Sequence, residues 1–259
     1  MKLDDVTVLI LAFDEAPNIG RTLAALAAFP EVVVVDSGST DGTQAIAASH
    51  PNVRVVTRAF DTHHAQWNFG LAQCTRDWVL ALDADYLLPP EAVREIALLQ
   101  PGADTGGFRA PFRYRVHGRL LSGSLYPPVT VLYRRARAHY VQDGHTQRVV
   151  IEGAVRELAQ SLVHDDRKPL ARWLASQAAY ARLEADLLRS RPWSALRLQD
   201  RLRRLVVVTP WLVPLYCLTV RKGLLDGWQG VYYAVQRGVA EAILSLNLLE
   251  ARGTRKDAA

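Results

Sequence analysis

Four short apolar runs, Val6 to Leu11, Val32 to Val35, Val53 to Val56 and Trp78 to Leu82, are each followed by a segment of helical character. Those segments are Asn18 to Ala28 after Pro17, Thr43 to Ser49, His64 to Gln73, and Glu91 to Leu99. Strands that are apolar almost throughout are buried on both faces, and alternation with helices makes a mostly parallel sheet covered by helices. An α/β core over residues 1–100 is expected. In such sheets ligands bind outside the carboxyl ends of the strands. Here the first strand ends at Asp14, the second at Asp36, and the fourth at Asp83 and Asp85.

Paired acids repel and raise each other's pKa unless positive charge lies between them. Carboxylate oxygens suit a hard divalent cation, Mg²⁺ or Mn²⁺, held by one or two carboxylates together with substrate phosphates. The alternative is that Asp83 and Asp85 cap the helix beginning at Pro89-Pro90-Glu91. Three strand ends delivering acid to one edge favour a functional acidic site over a cap.

Past Gly106 the pattern changes to short alternating stretches, among them Phe108-Arg109-Ala110, Tyr114-Arg115-Val116 and Thr130-Val131-Leu132-Tyr133, broken at Pro127-Pro128. This is read as an irregular, partly antiparallel half that walls one side of the cleft. From Lys168 onward Leu170, Trp173, Leu174, Ala178 and Ala181 recur near a helical period. The two cysteines, Cys74 and Cys217, are far apart in sequence, so a disulfide framework or clustered zinc site is not implied, and a reducing compartment fits. The run Val6 to Phe13 lacks the basic start and small-residue cleavage site of a signal peptide and is read as the first strand.

Charge is uneven. Between Asp165 and Lys222 the chain carries +7, and the remainder carries −2. Leu205 to Val220 holds no charge, is interrupted by Pro210 and Pro214, and is flanked by Arg197, Arg201, Arg203 and Arg204 before it and Arg221 and Lys222 after it. A spanning helix needs about 20 apolar residues. The run therefore fits an element lying in the interface of an anionic membrane, its arginines among headgroups, with a core helix pair as the alternative. The acidic cleft and the lack of a recognition motif argue against nucleic acid as a partner.

Small and hydroxyl residues fill Val35-Asp36-Ser37-Gly38-Ser39-Thr40-Asp41-Gly42-Thr43, between a strand and a helix, where anions are favoured. Neither GxGxxG nor GxxxxGK[ST] occurs, so a different nucleotide pocket is needed. Taken with Phe13-Asp14-Glu15-Ala16-Pro17-Asn18-Ile19, Gln66-Trp67-Asn68-Phe69-Gly70 and Leu82-Asp83-Ala84-Asp85, this stretch resembles the family 2 inverting glycosyltransferases, especially bacterial enzymes of lipopolysaccharide-core and cell-surface glycan assembly. The likeness covers residues 5 to about 165, and a weaker match runs over Leu225-Asp226-Gly227-Trp228-Gln229-Gly230.

The resemblance implies a nucleotide-diphospho-sugar transferase fold of the GT-A, Rossmann-like type. It implies a catalytic domain over 1–165, with a nucleotide-binding half 1–100 and an acceptor half 101–165. A helical, membrane-associated region would follow over 166–251 and a disordered tail over 252–259. Donor contacts would come from Phe13, Asp14, Glu15, Asp36, Ser37, Ser39, Asp41, Gln66, Asn68, Asp83 and Ala84. Asp85 would be the more direct ligand of Mg²⁺ or Mn²⁺, with Asp83 beside it and a third metal or diphosphate contact from His164. The donor would be a nucleotide-diphosphate sugar, with UDP as the default. The acceptor would be lipid-linked or a polysaccharide, and the enzyme would be cytoplasmic and peripheral on the inner face of the cytoplasmic membrane.

A base must take the acceptor proton. Where related enzymes carry a His-Glu pair this chain has Thr146-Gln147, and Gln147 is no base; Asp143 or His145 would serve. Two other readings compete: a non-catalytic nucleotide-sugar-binding subunit, and a Mg²⁺-dependent phosphoryl-transfer enzyme. The second is disfavoured because lysines are few and none is expected near the core acids.

Overall fold

The computed structural model describes residues 1–143 and 146–256. In chain order the regular elements are β1 (Val6–Ala12), α1 (Ile19–Ala24), β2 (Glu31–Asp36), α2 (Thr43–Ala48), β3 (Val53–Thr57), α3 (His63–Gln73), β4 (Trp78–Asp83), β5 (Tyr86–Leu87) and α4 (Pro90–Leu98). There follow β6 (Thr105–Ala110), β7 (Phe112–Val116), β8 (Arg119–Leu120), β9 (Val129–Arg134), β10 (Ala138–Asp143), β11 (Thr146–Ile151), β12 (Ala154–Glu157) and β13 (Leu162–His164). Helices α5 (Leu170–Ser190), α6 (Leu198–Arg204), α7 (Thr209–Leu218) and α8 (Gly227–Lys256) complete the chain. The chain divides into two compact units, residues 1–115 with 126–168, and residues 116–125 with 169–259.

The first unit is built on a sheet in the order β12-β6-β9-β4-β1-β2-β3. Strands β4, β1, β2 and β3 run parallel, and β9 is antiparallel to β4 and β6. The continuous apolar runs serve both faces. Val8, Ile10, Val34, Leu80 and Leu82 pack with Ile19, Leu23 and Ile96, while Leu9, Val33, Val35 and Val79 pack with Trp67, Leu71 and Tyr140. Helices α1, α2 and α4 thus cover one face and α3 the other. Helix α1 is shorter than the expected Asn18 to Ala28: past Ala24 the backbone tightens, with Leu26 N on Leu23 O and Phe29 N on Leu26 O.

The alternative, a cap by Asp83 or Asp85, is not made, because β5 intervenes and Pro89 is the N-cap of α4, without a side-chain cap bond. A smaller sheet sets β13 between β5 and β7. A two-stranded sheet, β10-β11, lies against α3.

The second unit is helical. The helix expected from Lys168 onward is α5; of its periodic residues Leu170 and Leu174 are exposed, while Ala181 is buried, with Ala185 and Leu188, against Leu196, Val206, Leu244 and Leu248. The uncharged run is divided: Leu205 and Val207 lie in a turn and α7 begins at Thr209, with Pro214 inside it. Arg203 is engaged within the unit. It grips Glu241 (2.8 Å) and lies 3.5 Å from Glu184 and 3.8 Å from Asp200. Helix α8 continues through Lys256, past the residue where a tail is expected to start. No helix among the described residues is long and apolar enough to cross a membrane.

Candidate active site

The strand tips are level: Ala12 pairs with Asp36, and Leu11 with Asp83. Phe13 follows β1 at the surface. Beyond it the chain turns sharply at Asp14 (φ 52°), a left-handed conformation that a non-glycine residue holds only under constraint. The constraint comes from the 37–43 loop. Asp14 N donates to Ser39 Oγ (2.8 Å), Thr40 N donates to Asp14 Oδ1 (2.8 Å), Glu15 N donates to Thr43 Oγ1 (2.7 Å) and Ala16 N donates to Asp41 Oδ2 (3.0 Å).

Asp36 is buried, and its carboxylate is consumed by its own loop. Oδ1 accepts from Gly38 N, Ser39 N and Gln44 Nε2, and Oδ2 from Ser39 Oγ. In this geometry Asp36 shapes the loop. Gln66 braces the same loop, donating to Ser37 Oγ (3.0 Å) and Arg58 O (3.1 Å). Asn68 turns away from it and binds the backbone of Tyr140.

At the end of β4 the acids come together with a histidine. Thr22 Oγ1 donates to the buried carbonyl of Ala84 (2.7 Å), fixing the backbone between Asp83 and Asp85. Asp85 is buried, and its Oδ2 lies 3.1 Å from His164 Nε2, which antiparallel pairing of β13 with β5 carries there. The tyrosines Tyr86, Tyr114 and Tyr126 ring His164, at 5.3, 4.4 and 5.7 Å between centroids. Burial opposes charge on His164, yet the Asp85 carboxylate raises its pKa above the ordinary imidazole value. Asp83 has an accessible side chain, yet desolvation by the surrounding protein and the Asp85 charge push its pKa up to about 6.

A second ring of charge, missed in the sequence, lies just behind. Lys168 Nζ donates to Glu15 (2.7 Å) and lies 3.7 Å from Asp166. This overturns the expectation that no lysine approaches the core acids. Burial works against the Glu15 carboxylate and raises its pKa, although Lys168 and Asn18 both donate to it. Buried Asn18 donates to Glu15 Oε2 and Asp166 Oδ1 (3.0 Å each), and Arg21 binds buried Asp165 (2.6 Å). The signal was present: Asp165-Asp166-Arg167-Lys168 follows His164 directly, a charge cluster behind a strand-end histidine.

Asp85 Oδ1 is buried without a hydrogen-bond partner among the described residues, as is His164 Nδ1. A carboxylate oxygen left open beside a second acid fits a divalent cation. Among the described residues no three His, Cys, Asp or Glu side chains form a ready cage, which suits an ion that completes its shell from phosphate and water. Of the two expected bases, Asp143 ends β10 with its backbone paired to Thr146, its side chain lying outside the described residues, and His145 lies outside them entirely.

Residues 7–107 match the sequence model of glycosyl transferase family 2. Over that segment the chain is similar to the family 2 glycosyltransferases. The lipopolysaccharide core biosynthesis glycosyltransferase LpsC of Rhizobium meliloti is 29% identical over 197 residues, 70% of each chain. The undecaprenyl-phosphate 4-deoxy-4-formamido-L-arabinose transferase of Sodalis glossinidius is 33% identical over 106 residues, which are 36% of this chain and 32% of that one. Among solved structures, S. aureus TarS 1–349 in complex with UDP-GlcNAc shares the fold at a TM-score of 0.51 and 17% identity, over 98% of this chain and 92% of that one. The transferase reading thus rests on the family match, and the phosphoryl-transfer alternative gains nothing from Lys168, whose ammonium is paired with Glu15.

Proposed function

We propose that this glycosyltransferase moves a sugar from a UDP-sugar, with inversion at the anomeric carbon, to a hydroxyl of a lipid-linked or polysaccharide acceptor in cell-surface glycan assembly. The observation that carries the reading is the open Oδ1 of buried Asp85 beside Asp83 at the tip of β4. The name of LpsC supports a lipopolysaccharide-type acceptor, that of the Sodalis transferase a lipid-phosphate one, and the TarS complex a uridine donor.

Asp85 and Asp83 would hold a Mg²⁺ or Mn²⁺ ion, which when bound neutralises the departing diphosphate. The loops 13–17 and 37–43 form the nucleoside cradle, with Asp36 and Gln66 fixing its shape and Asp14 and Ser39 at its rim. Asp143 takes the acceptor proton, with His145 as the alternative base. Displacement then breaks the bond from the anomeric carbon to the diphosphate oxygen as the acceptor oxygen bonds from the opposite face. The acceptor is presented at the inner face of the cytoplasmic membrane, where the enzyme is peripheral.

The test is a panel of nucleotide sugars with Mg²⁺ or Mn²⁺, scored by protection against thermal unfolding and then by transfer. A UDP-sugar that protects only with the cation is the expected result. Protection by another nucleotide, or equal protection with chelator, would replace the donor or the metal assignment.

A further inference from the structure

We propose that the hairpin of α7 and α8 in the second unit is a docking surface for a bilayer containing anionic phospholipid. Helix α7 turns Pro214 and Cys217 inward, the Pro214 ring lying 2.6 Å from where a Cβ on Gly238 of α8 would stand. Its outer face presents Trp211, Leu212, Leu215 and Tyr216, one helical stripe, with Trp211 80% exposed. At the tip between the helices Val220, Leu224, Leu225 and Trp228 are exposed too, Leu225 at 70%.

This tip is braced from behind. Buried Asp226 accepts from Ser122 N and Ser122 Oγ (2.8 Å each), Arg119 donates to Leu225 O (2.9 Å), and the Trp228 ring packs 4.9 Å from His117. The leucines are therefore held outward by a made structure, and an apolar patch of this extent marks an interaction surface.

Charge selects the occupant. No acidic residue occurs from Arg201 to Leu225, whereas exposed Arg221 and Lys222 stand in the middle of the tip. A second copy meeting this face about a two-fold axis would set cations against cations. An anionic headgroup layer meets them with opposite charge, tryptophan sits at headgroup level, and the leucines reach the acyl boundary. The surface is made within the second unit, so it stands independently of the donor and acceptor assignments.

The experiment is flotation of the full chain, without donor or acceptor, on phosphatidylcholine vesicles and on vesicles that also contain phosphatidylglycerol. Binding is expected only with phosphatidylglycerol, weakened by salt. Leu224→Gln with Leu225→Gln, exposed positions whose change leaves the thermal midpoint near wild type, is expected to lower partitioning by about tenfold or more. Arg221→Gln with Lys222→Gln is expected to remove the preference for anionic lipid. Failure to float with phosphatidylglycerol, or flotation undiminished in the leucine variant, overturns the proposal. So does lipid-free self-association, seen by light scattering and lost in the same variant, which assigns the face to a second copy.

Discussion

The side-chain amide of Asn68 is bonded at both ends to the backbone of one residue: Tyr140 N donates to Asn68 Oδ1 and Asn68 Nδ2 donates to Tyr140 O, each at 2.8 Å. A side chain thereby makes the paired bonds a neighbouring strand would make. With Trp67 stacked on the Tyr140 ring (5.2 Å) and His64 Nδ1 at 2.8 Å from Gln142, it fastens β10 to α3. Asn68→Ala leaves a donor and an acceptor unpaired, each costing about 1–3 kcal/mol where buried. The expected result is a lower thermal midpoint, faster hydrogen exchange at the Tyr140 amide, and reduced kcat with donor KM preserved. Asn68→Asp retains the acceptor and should fall between. A raised donor KM with intact kcat would make Asn68 a donor contact, as the resemblance implies.

Asp85→Asn keeps the shape of the side chain and an oxygen for His164 while removing the charge. Transfer should fall by about 10² or more, the size usual for losing one electrostatic contact to the leaving group, and cation-dependent thermal protection by donor should vanish with the fold intact. Asp85→Ala is a different experiment. Because Asp85 is buried against His164 rather than exposed at the strand tip, the alanine variant should also lose stability, read as a lower midpoint without ligand.

Acid sensitivity has a source remote from the site. Burial opposes ionisation of Glu31, but bonds from Thr7 Oγ1 and from Thr75 (2.7 Å to its Oγ1) outweigh it and lower the pKa below 4.5. A carboxylate whose folded pKa lies below its unfolded value stabilises fully above the unfolded value and loses that contribution as pH falls through the folded one. In Glu31→Gln the deficit in thermal midpoint should be largest at neutral pH and shrink toward zero as acid titrates the wild type. A deficit independent of pH would trace the effect to packing.

Arg203 and Glu241 test whether the basic stretch acts through charge on lipid or through structure. Breaking one partner of a largely buried pair costs about 3–5 kcal/mol. Glu241→Ala and Arg203→Gln should both lower the midpoint of unfolding. If Arg203→Gln instead leaves stability intact and reduces vesicle binding, the arginine serves headgroups after all.

Elements whose side chains face the core on both sides were legible before any coordinates. The runs beginning at Val6, Val32 and Trp78 are strands because nothing but a covered sheet satisfies them, the run at Val53 forms a half-buried edge strand, and Asp83 and Asp85 lie where strand polarity puts ligands. Roles set by orientation were not legible. Asp36 has the residue type of a ligand, but its oxygens face its own loop, and Asn68 sits in a donor-like motif while its amide faces β10. Lys168 reaches Glu15 across 153 positions, a distance no local pattern reports. The division of Leu205 to Val220 into a turn and a helix follows from Pro210, which suits a helix's first turn and so starts α7 there.

The bonds from Asn18 to Asp166 and from Arg21 to Asp165 span 148 and 144 positions, and they have a consequence for how the chain is made. Strand β1 and helix α1 leave the ribosome early, yet the counter-charges of that first helix arrive only with the last residues of the unit. A nascent chain halted after α4 would hold Glu15, Asp83 and Asp85 at one sheet edge with Lys168 and His164 still unmade. A fragment that ends at the boundary of the matched family segment therefore lacks the partners of Asn18, Arg21 and Glu15 in the 165–168 stretch.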